Sequence, residues 1–274
     1  DAWKNSGLKE GPGSLFFGTG WGSLSETFNF MTQLIDSDDQ FASPTDFIGS
    51  VHNASAGQAA IQFQATGPNI TTTGGNYSFE QALLTASLLS RGSDAPVLVI
   101  GGDESHETLS PLFDPSAPED TARSDGGGAL LLKRGTESSG MDLSPIFLEK
   151  SCDDGSTIRA LISSLGGPEK LNFQYGALFA GIPESEKGFC HKQLNEFIKE
   201  SDFMGSVIDY RKITGQFASA SAVATVLAIA FAESGKIPEH LCDKGRSDLG
   251  GKGILIVGFG PYVTGIGILN KGFP

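Results

Sequence analysis

The chain has 274 residues, of which 39% are hydrophobic and 19% charged, and a formal net charge of −13. That length suits one large domain or two fused halves, and 37 glycines and 13 prolines without a period exclude collagen and low-complexity disorder. The anionic balance excludes a nucleic-acid binder, which needs clustered cations to displace counterions from phosphate; the basic pairs Lys133-Arg134 and Arg211-Lys212 form no stripe.

Residues 1–8 read as the end of an amphipathic helix, so part of the fold is expected to precede them. Glycine-bounded apolar runs then read as strands at 14–18, 96–101, 129–133, 175–180 and 253–258. Helical stretches lie between them at 23–35, 53–65, 78–90, 192–200 and 217–233. This alternation points to an α/β fold with mostly buried sheets. Segments 108–124 and 137–143 carry Pro, Asp, Ser and Gly and read as exposed loops. The apolar run 217–232 is too short for a membrane span and is interrupted by Ser219, Ser221 and Thr225, so a buried core helix is expected.

Three cysteines, Cys152, Cys190 and Cys242, are far apart and odd in number. Without Cys-x-x-Cys or His/Cys spacing they point to a reducing, cytoplasmic compartment and to no metal and no cofactor. The Asn-x-Ser/Thr sequons at Asn53, Asn69 and Asn76 are short enough to arise by chance.

The sequence echoes itself. Thr71-Thr72-Thr73-Gly74-Gly75-Asn76 leads into helix 78–90 and then the strand Val97-Leu98-Val99-Ile100-Gly101-Gly102. Arg211-Lys212-Ile213-Thr214-Gly215-Gln216 leads into helix 217–233 and then Ile254-Leu255-Ile256-Val257-Gly258. Helices apolar nearly all round must be enclosed. Two related halves are expected, 1–143 and 144–274, with the opening strand of the first missing.

The order of motifs resembles the β-ketoacyl synthases of the thiolase superfamily. Ser50-Val51-His52-Asn53-Ala54-Ser55-Ala56-Gly57 runs into the turn Gly67-Pro68-Asn69-Ile70, followed by a strand and then the helix start that carries the family's nucleophilic cysteine. A cysteine belongs there because free N–H groups and the helix dipole favour a thiolate. In this register Asn76 stands at that position. Gly101-Gly102-Asp103-Glu104 is similar to the family's strand-end glycine pair, Leu109-Ser110-Pro111-Leu112 to the proline loop after it, and Gly126-Gly127-Gly128-Ala129-Leu130 to the next strand's entry. Arg211 to Gln216 resembles the Lys-x-x-x-Gly-His motif, with Gln216 for the histidine. Ala180-Gly181 is the nearest match to the His-Gly turn, and Gly258-Phe259-Gly260 looks like the Gly-Phe-Gly turn beside the acyl pocket.

The resemblance implies a thiolase-like fold of two pseudo-symmetric βαβαβαββ halves with central helices between sheets. It implies substituted active-site positions at Asn76, Ala180 and Gln216, and candidate pocket residues His52, Asn53 and Phe259. Decarboxylative condensation needs a thiolate and two donors, so a non-catalytic subunit of the chain-length-factor type is expected. Its partner would be an active ketosynthase in fatty acid, polyene or polyketide biosynthesis, with the acyl carrier protein docking through that partner. A homodimeric acyl-binding scaffold is a further reading, and so is an active β-ketoacyl synthase or acyltransferase with another nucleophile, for which His52 is the first candidate.

Each residue also has a plainer reading. His52 reads first as a structural histidine, and His106, His191 and His240 as surface residues. Cys190 and His191 are neighbours on a helix and so point in different directions. Gly18-Thr19-Gly20-Trp21-Gly22 lacks the Lys-Ser/Thr of a phosphate loop and reads as a turn after an early strand. Phe259 reads equally as core or gate.

Overall fold

The computed structural model describes residues 11–38, 40, 43–90, 92–135, 140–242 and 247–271. The expected helix end at 1–8, and most of the expected loop before 141, lie outside them. The chain divides into two compact units. One comprises residues 1–134 with Gly215–Val223, the other residues 135–214 with 224–274. The expected boundary at 143/144 falls inside the strand Met141–Lys150.

In the first unit, strands β1 (Ser14–Gly18), β2 (Asn69–Thr72), β3 (Val97–Asp103) and β4 (Gly126–Leu132) form a sheet of order β2-β1-β3-β4. β1 is parallel to β2 and β3, and β4 returns antiparallel. All five residues of β1 are buried, the burial expected of a central parallel strand. Helices α1 (Leu24–Asp36), α2 (Pro44–Ser50) and α3 (Ala54–Phe63) connect β1 to β2, and α4 (Ser78–Leu89) connects β2 to β3. Ser43 starts α2: its hydroxyl accepts the Asp46 N–H at 3.3 Å, and Pro44 fills the first turn. The short α5 (Ser110–Phe113) lies in the segment read as loop. Leu15, Phe17, Ala56 and Leu98 form a buried cluster between the sheet and α3.

The second unit runs β5 (Met141–Lys150), α6 (Ser156–Ser164), α7 (Pro168–Gln174), β6 (Tyr175–Gly181), α8 (Lys187–Ser201), β7 (Ser206–Asp209), α9 (Arg211–Thr214), α10 (Ala220–Ser234), β8 (Gly253–Gly258) and β9 (Tyr262–Asn270). Its sheet order is β5-β9-β8-β6-β7. β6 is parallel to β7 and β8, while β9 is antiparallel to β8 and β5. The core of this unit includes Leu161, Leu178, Phe197, Leu255 and Val263, packed between the sheet and α6–α8. Each such buried side chain contributes about 1.5–3 kcal/mol relative to exposure.

The two sheets repeat one plan. Matching β1 with β6, β2 with β7, β3 with β8 and β4 with β9 gives the same neighbours in the same sense. Among the described residues, the first sheet has no counterpart of β5. No described helix is long and apolar enough to cross a membrane. Enclosure of α4 is incomplete: its first turns are buried, but Leu88 and Leu89 at its end are exposed.

Candidate functional site

Parallel strands end together, so the loops that leave β1, β2 and β3 gather at one edge of the first sheet. Gly18 pairs with both Thr72 and Gly101, which brings the turns after all three strands side by side. The turn after β1 carries Thr19 to Gly22, the turn after β2 carries Asn76, and β3 ends on Asp103.

Asp103 is buried and organises this edge. One carboxylate oxygen accepts the Thr19 hydroxyl at 2.7 Å, the Gly20 N–H at 2.8 Å and the Trp21 N–H at 2.7 Å. The other accepts the N–H and the hydroxyl of Ser219, both at 2.6 Å. Thr19 Oγ1 in turn accepts the Gly22 N–H. Beside it, Glu104 accepts the N–H and hydroxyl of Ser25 at the start of α1. A buried charge is tolerated only when its oxygens are fully bonded, and Asp103 meets that condition.

Asn76 occupies a single 3-10 turn, Gly75–Tyr77, directly before α4. It is exposed. Ser78 fastens the turn, its hydroxyl accepting the Gly74 N–H and donating to the Gly75 carbonyl, both at 2.8 Å. Gln216 is buried at the head of the segment that leads to α10. Its N–H donates to the Ala122 carbonyl at 3.1 Å, and its own carbonyl accepts the Ser124 N–H at 3.3 Å. The turn that carries Asn76 and the segment that follows Gln216 both approach Gly20. A Cβ added there would lie 2.4 Å from the Ala218 Cβ and 2.9 Å from the Gly75 Cα. Only glycine lets the β1 turn pass between the Asn76 turn and the Gln216 segment.

The expected pocket residues His52, Asn53 and Phe259, and the substituted position Ala180, divide between the units. His52 is exposed and its ring packs beside Gly22, on the same loop that Asp103 holds. Asn53 is exposed at the cap of α3, where its side chain makes no capping bond. Ala180 is fully buried in the second unit, near the end of β6, and its carbonyl accepts the Tyr210 N–H at 3.1 Å. Phe259 lies next to it in the fold, donating its N–H to the Gly181 carbonyl. Its ring is buried edge-on against Phe197 at 6.4 Å. Of the two equal readings of Phe259, this packing is that of core.

Three features of these loops escape sequence reasoning. Asp103 read only as part of a strand-end pattern, although an acid closing an apolar strand is a signal for a buried acceptor. Glu80, in a helix read as lacking a strongly polar face, is buried and accepts the Ser221 hydroxyl at 3.0 Å. Gln193 clamps the turn after β8, its amide donating to the Gly260 carbonyl at 3.1 Å and to Ser151 Oγ at 2.9 Å, while its oxygen accepts the Gly260 N–H at 2.8 Å. His106 also departs from a plain surface role: it is half-buried, stacked on Phe28 at 4.5 Å, and its Nδ1 accepts the Thr108 N–H.

The chemistry open to these side chains is limited. Amides at 76 and 216 and a methyl at 180 neither ionise nor relay protons near neutrality. All three cysteines are free. Burial pushes the Cys190 thiol up to about 12, helped by the nearby Glu186 carboxylate, so it is not a thiolate. Asp209, on the neighbouring strand, is held above the usual carboxylate range by burial. Arg211 is buried with its guanidinium carbon 6.0 Å from the centre of the Tyr210 ring. Among the described residues no group of three His, Cys, Asp or Glu is arranged to hold a metal ion.

Residues 9–144 match the family of the β-ketoacyl synthase N-terminal domain. No curated protein sequence matches the chain. Among solved structures, the ishigamide ketosynthase/chain length factor is 17% identical, with a TM-score of 0.68 over 96% of this chain and 75% of that one. A ketosynthase bound to a hexaketide, in complex with its type II polyketide synthase acyl-carrier protein, is 15% identical, with a TM-score of 0.70 over 96% and 77%. A β-ketoacyl synthase from Burkholderia phymatum STM815 is 11% identical, with a TM-score of 0.66 over 94% and 76%. At these identities the likeness is one of fold. The family match covers residues 9–144, close to half of the chain, and the fold is the thiolase-like fold of the ketosynthases.

Proposed function

We propose that this chain is a non-catalytic ketosynthase-like subunit, of the chain-length-factor kind, that pairs with an active β-ketoacyl synthase in fatty acid, polyene or polyketide biosynthesis. The observation that carries the reading is Asn76 at the amino end of α4. A helix start stabilises a thiolate by several-fold in acidity, but it gives an amide no nucleophilic character. Gln216 and Ala180, at the two positions matched to the family's histidines, add no proton donor or base. The fold it shares with a ketosynthase/chain length factor supports the same reading. The active partner supplies the thiolate and the carrier-protein dock, which suits a chain of net charge −13.

The test is coexpression with an active β-ketoacyl synthase, followed by copurification and incubation with a labelled acyl thioester. The complex is expected to survive purification and to carry label on the partner alone. Failure to associate with any coexpressed ketosynthase overturns the reading. Stoichiometric label on a non-surface residue of this chain replaces it with an active acyltransferase or synthase.

A further inference from the structure

In the second unit β6, β7 and β8 run parallel and so begin together. At their starts lies a cavity of about 230 Å³, smaller than the about 300–1,000 Å³ of pockets that enclose drug-sized ligands. Its walls come from the end of α7 with the first residues of β6, from the turn before β7, and from residues 248–252 before β8. The β6–β8 register passes from Tyr175 with Gly253 to Ala177 with Ile254 and skips Gly176, a bulge that bends the strand. A Cβ on Gly205 would lie 2.4 Å from the Gly176 carbonyl oxygen, and one on Gly176 would lie 3.0 Å from that of Leu249. Neither glycine has a side chain to fill the space beside the bulge.

Two donors in the wall are not spent on the protein. Lys252 gives one N–H to the Asn172 carbonyl at 2.7 Å, which leaves two of the three on its ammonium. It forms no ion pair among the described residues. Tyr175 is only 3% exposed, and its hydroxyl has no hydrogen-bond partner among the described residues. Burial raises that hydroxyl to about 12, so it keeps its proton. A buried hydroxyl without an acceptor is costly, and its place calls for a partner. The wall around it is already fixed. The Asn172 amide donates to the Pro168 and Ser201 carbonyls at 3.0 and 2.8 Å, and its oxygen accepts the Met204 N–H at 3.0 Å.

We propose that this cavity binds a small monocarboxylate, its oxygens accepting from the Lys252 ammonium and the Tyr175 hydroxyl and its short carbon chain lying against Leu249 and Met204. One ammonium balances one negative charge. A phosphate dianion would bring a second, uncompensated charge toward Asp248, whose exposed carboxylate also lines the cavity and accepts the Gly250 N–H at 2.8 Å. The site does not depend on the proposed pairing with a ketosynthase.

Saturation-transfer NMR on the full chain tests it, with acetate, propionate and butyrate as probes at constant ionic strength and inorganic phosphate as the comparison. Millimolar binding of a carboxylate, tighter than that of phosphate, is expected. Tyr175→Phe removes only the unpartnered oxygen, so without ligand it should melt no lower than the wild type, yet it should weaken carboxylate binding about tenfold. Lys252→Met keeps the aliphatic stem, removes the charge and is expected to abolish binding. A purely structural Tyr175 hydroxyl gives the reverse, a lower melting temperature with binding unchanged. Absence of carboxylate binding to the wild type, binding that survives either substitution, or phosphate held more tightly than every carboxylate overturns the assignment.

Discussion

Ser219 gives both its backbone N–H and its hydroxyl to one oxygen of Asp103, each at 2.6 Å, across 116 residues of sequence. With the three donors from Thr19 to Trp21, five groups converge on a single buried carboxylate. Asp103→Ala strands all five. The expected loss is at least about 3 kcal/mol, or a fall of about 6–12 °C in Tm for a chain of this size. Asp103→Asn does not rescue it, because one face of the amide presents N–H groups to donors. Thermal melts of the two variants check this.

Gly20→Ala drives a methyl into the Ala218 side chain and is expected to cost about 1–3 kcal/mol. Adding Ala218→Gly removes the nearer of the two clashes and recovers part of the loss. Additive rather than compensating effects in a double-mutant cycle would show that the turn moves instead.

Gln193→Leu leaves the Gly260 N–H and carbonyl without their side-chain partners. Its expected cost is about 1–3 kcal/mol. Urea unfolding should report a lower midpoint with the slope unchanged.

At alkaline pH the second unit loses support from two groups. Burial raises Cys190 from 9.0, and Tyr175 from 10.0, to about 12 each. Both are neutral when protonated, and the folded state holds that proton more tightly than the unfolded state. Their contribution is therefore whole below pH 9 and is lost as pH rises toward about 12. Stability measured from pH 8 to 11 is expected to fall, and Cys190→Ala to reduce the slope. In the native protein at pH 8, iodoacetamide should modify exposed Cys152 and spare Cys190.

Asn76→Cys restores a thiol at the start of α4, where exposure and the helix end favour its ionisation. It is expected to be alkylated faster than Cys152 yet to form no condensation product, because Gln216 and Ala180 remain. Mass spectrometry of the alkylated peptide and a condensation assay read the two outcomes separately.

Much of the fold is legible in the sequence where burial is two-sided. β1 and β8 have the residues that their apolar runs indicated, since a strand covered on both faces needs no alternation. β7 and β9 leave no such run: β7 is four residues long, and glycine and threonine interrupt the apolar residues of β9. α2 is not legible despite its Ser43-Pro44 start, because its seven residues carry too little periodicity. Order and spacing of motifs single out Asn76 and Gln216, but the approach of the neighbouring Gly75 and Ala218 to Gly20 leaves no mark beyond one glycine. The role of Asp103 was hidden for a similar reason. Its five donors come from backbone and hydroxyl groups that any sequence contains.

Gly215–Val223 completes the first unit although it is encoded after most of the second. A fragment ending at residue 134 would therefore carry Asp103 without Ser219, and Glu80 without Ser221. Residues 1–134 are not a self-sufficient piece of chain. Anyone dissecting this protein by truncation would be removing a wall from the piece that is kept, and synthesis must pass residue 223 before the first sheet can close around its own acid.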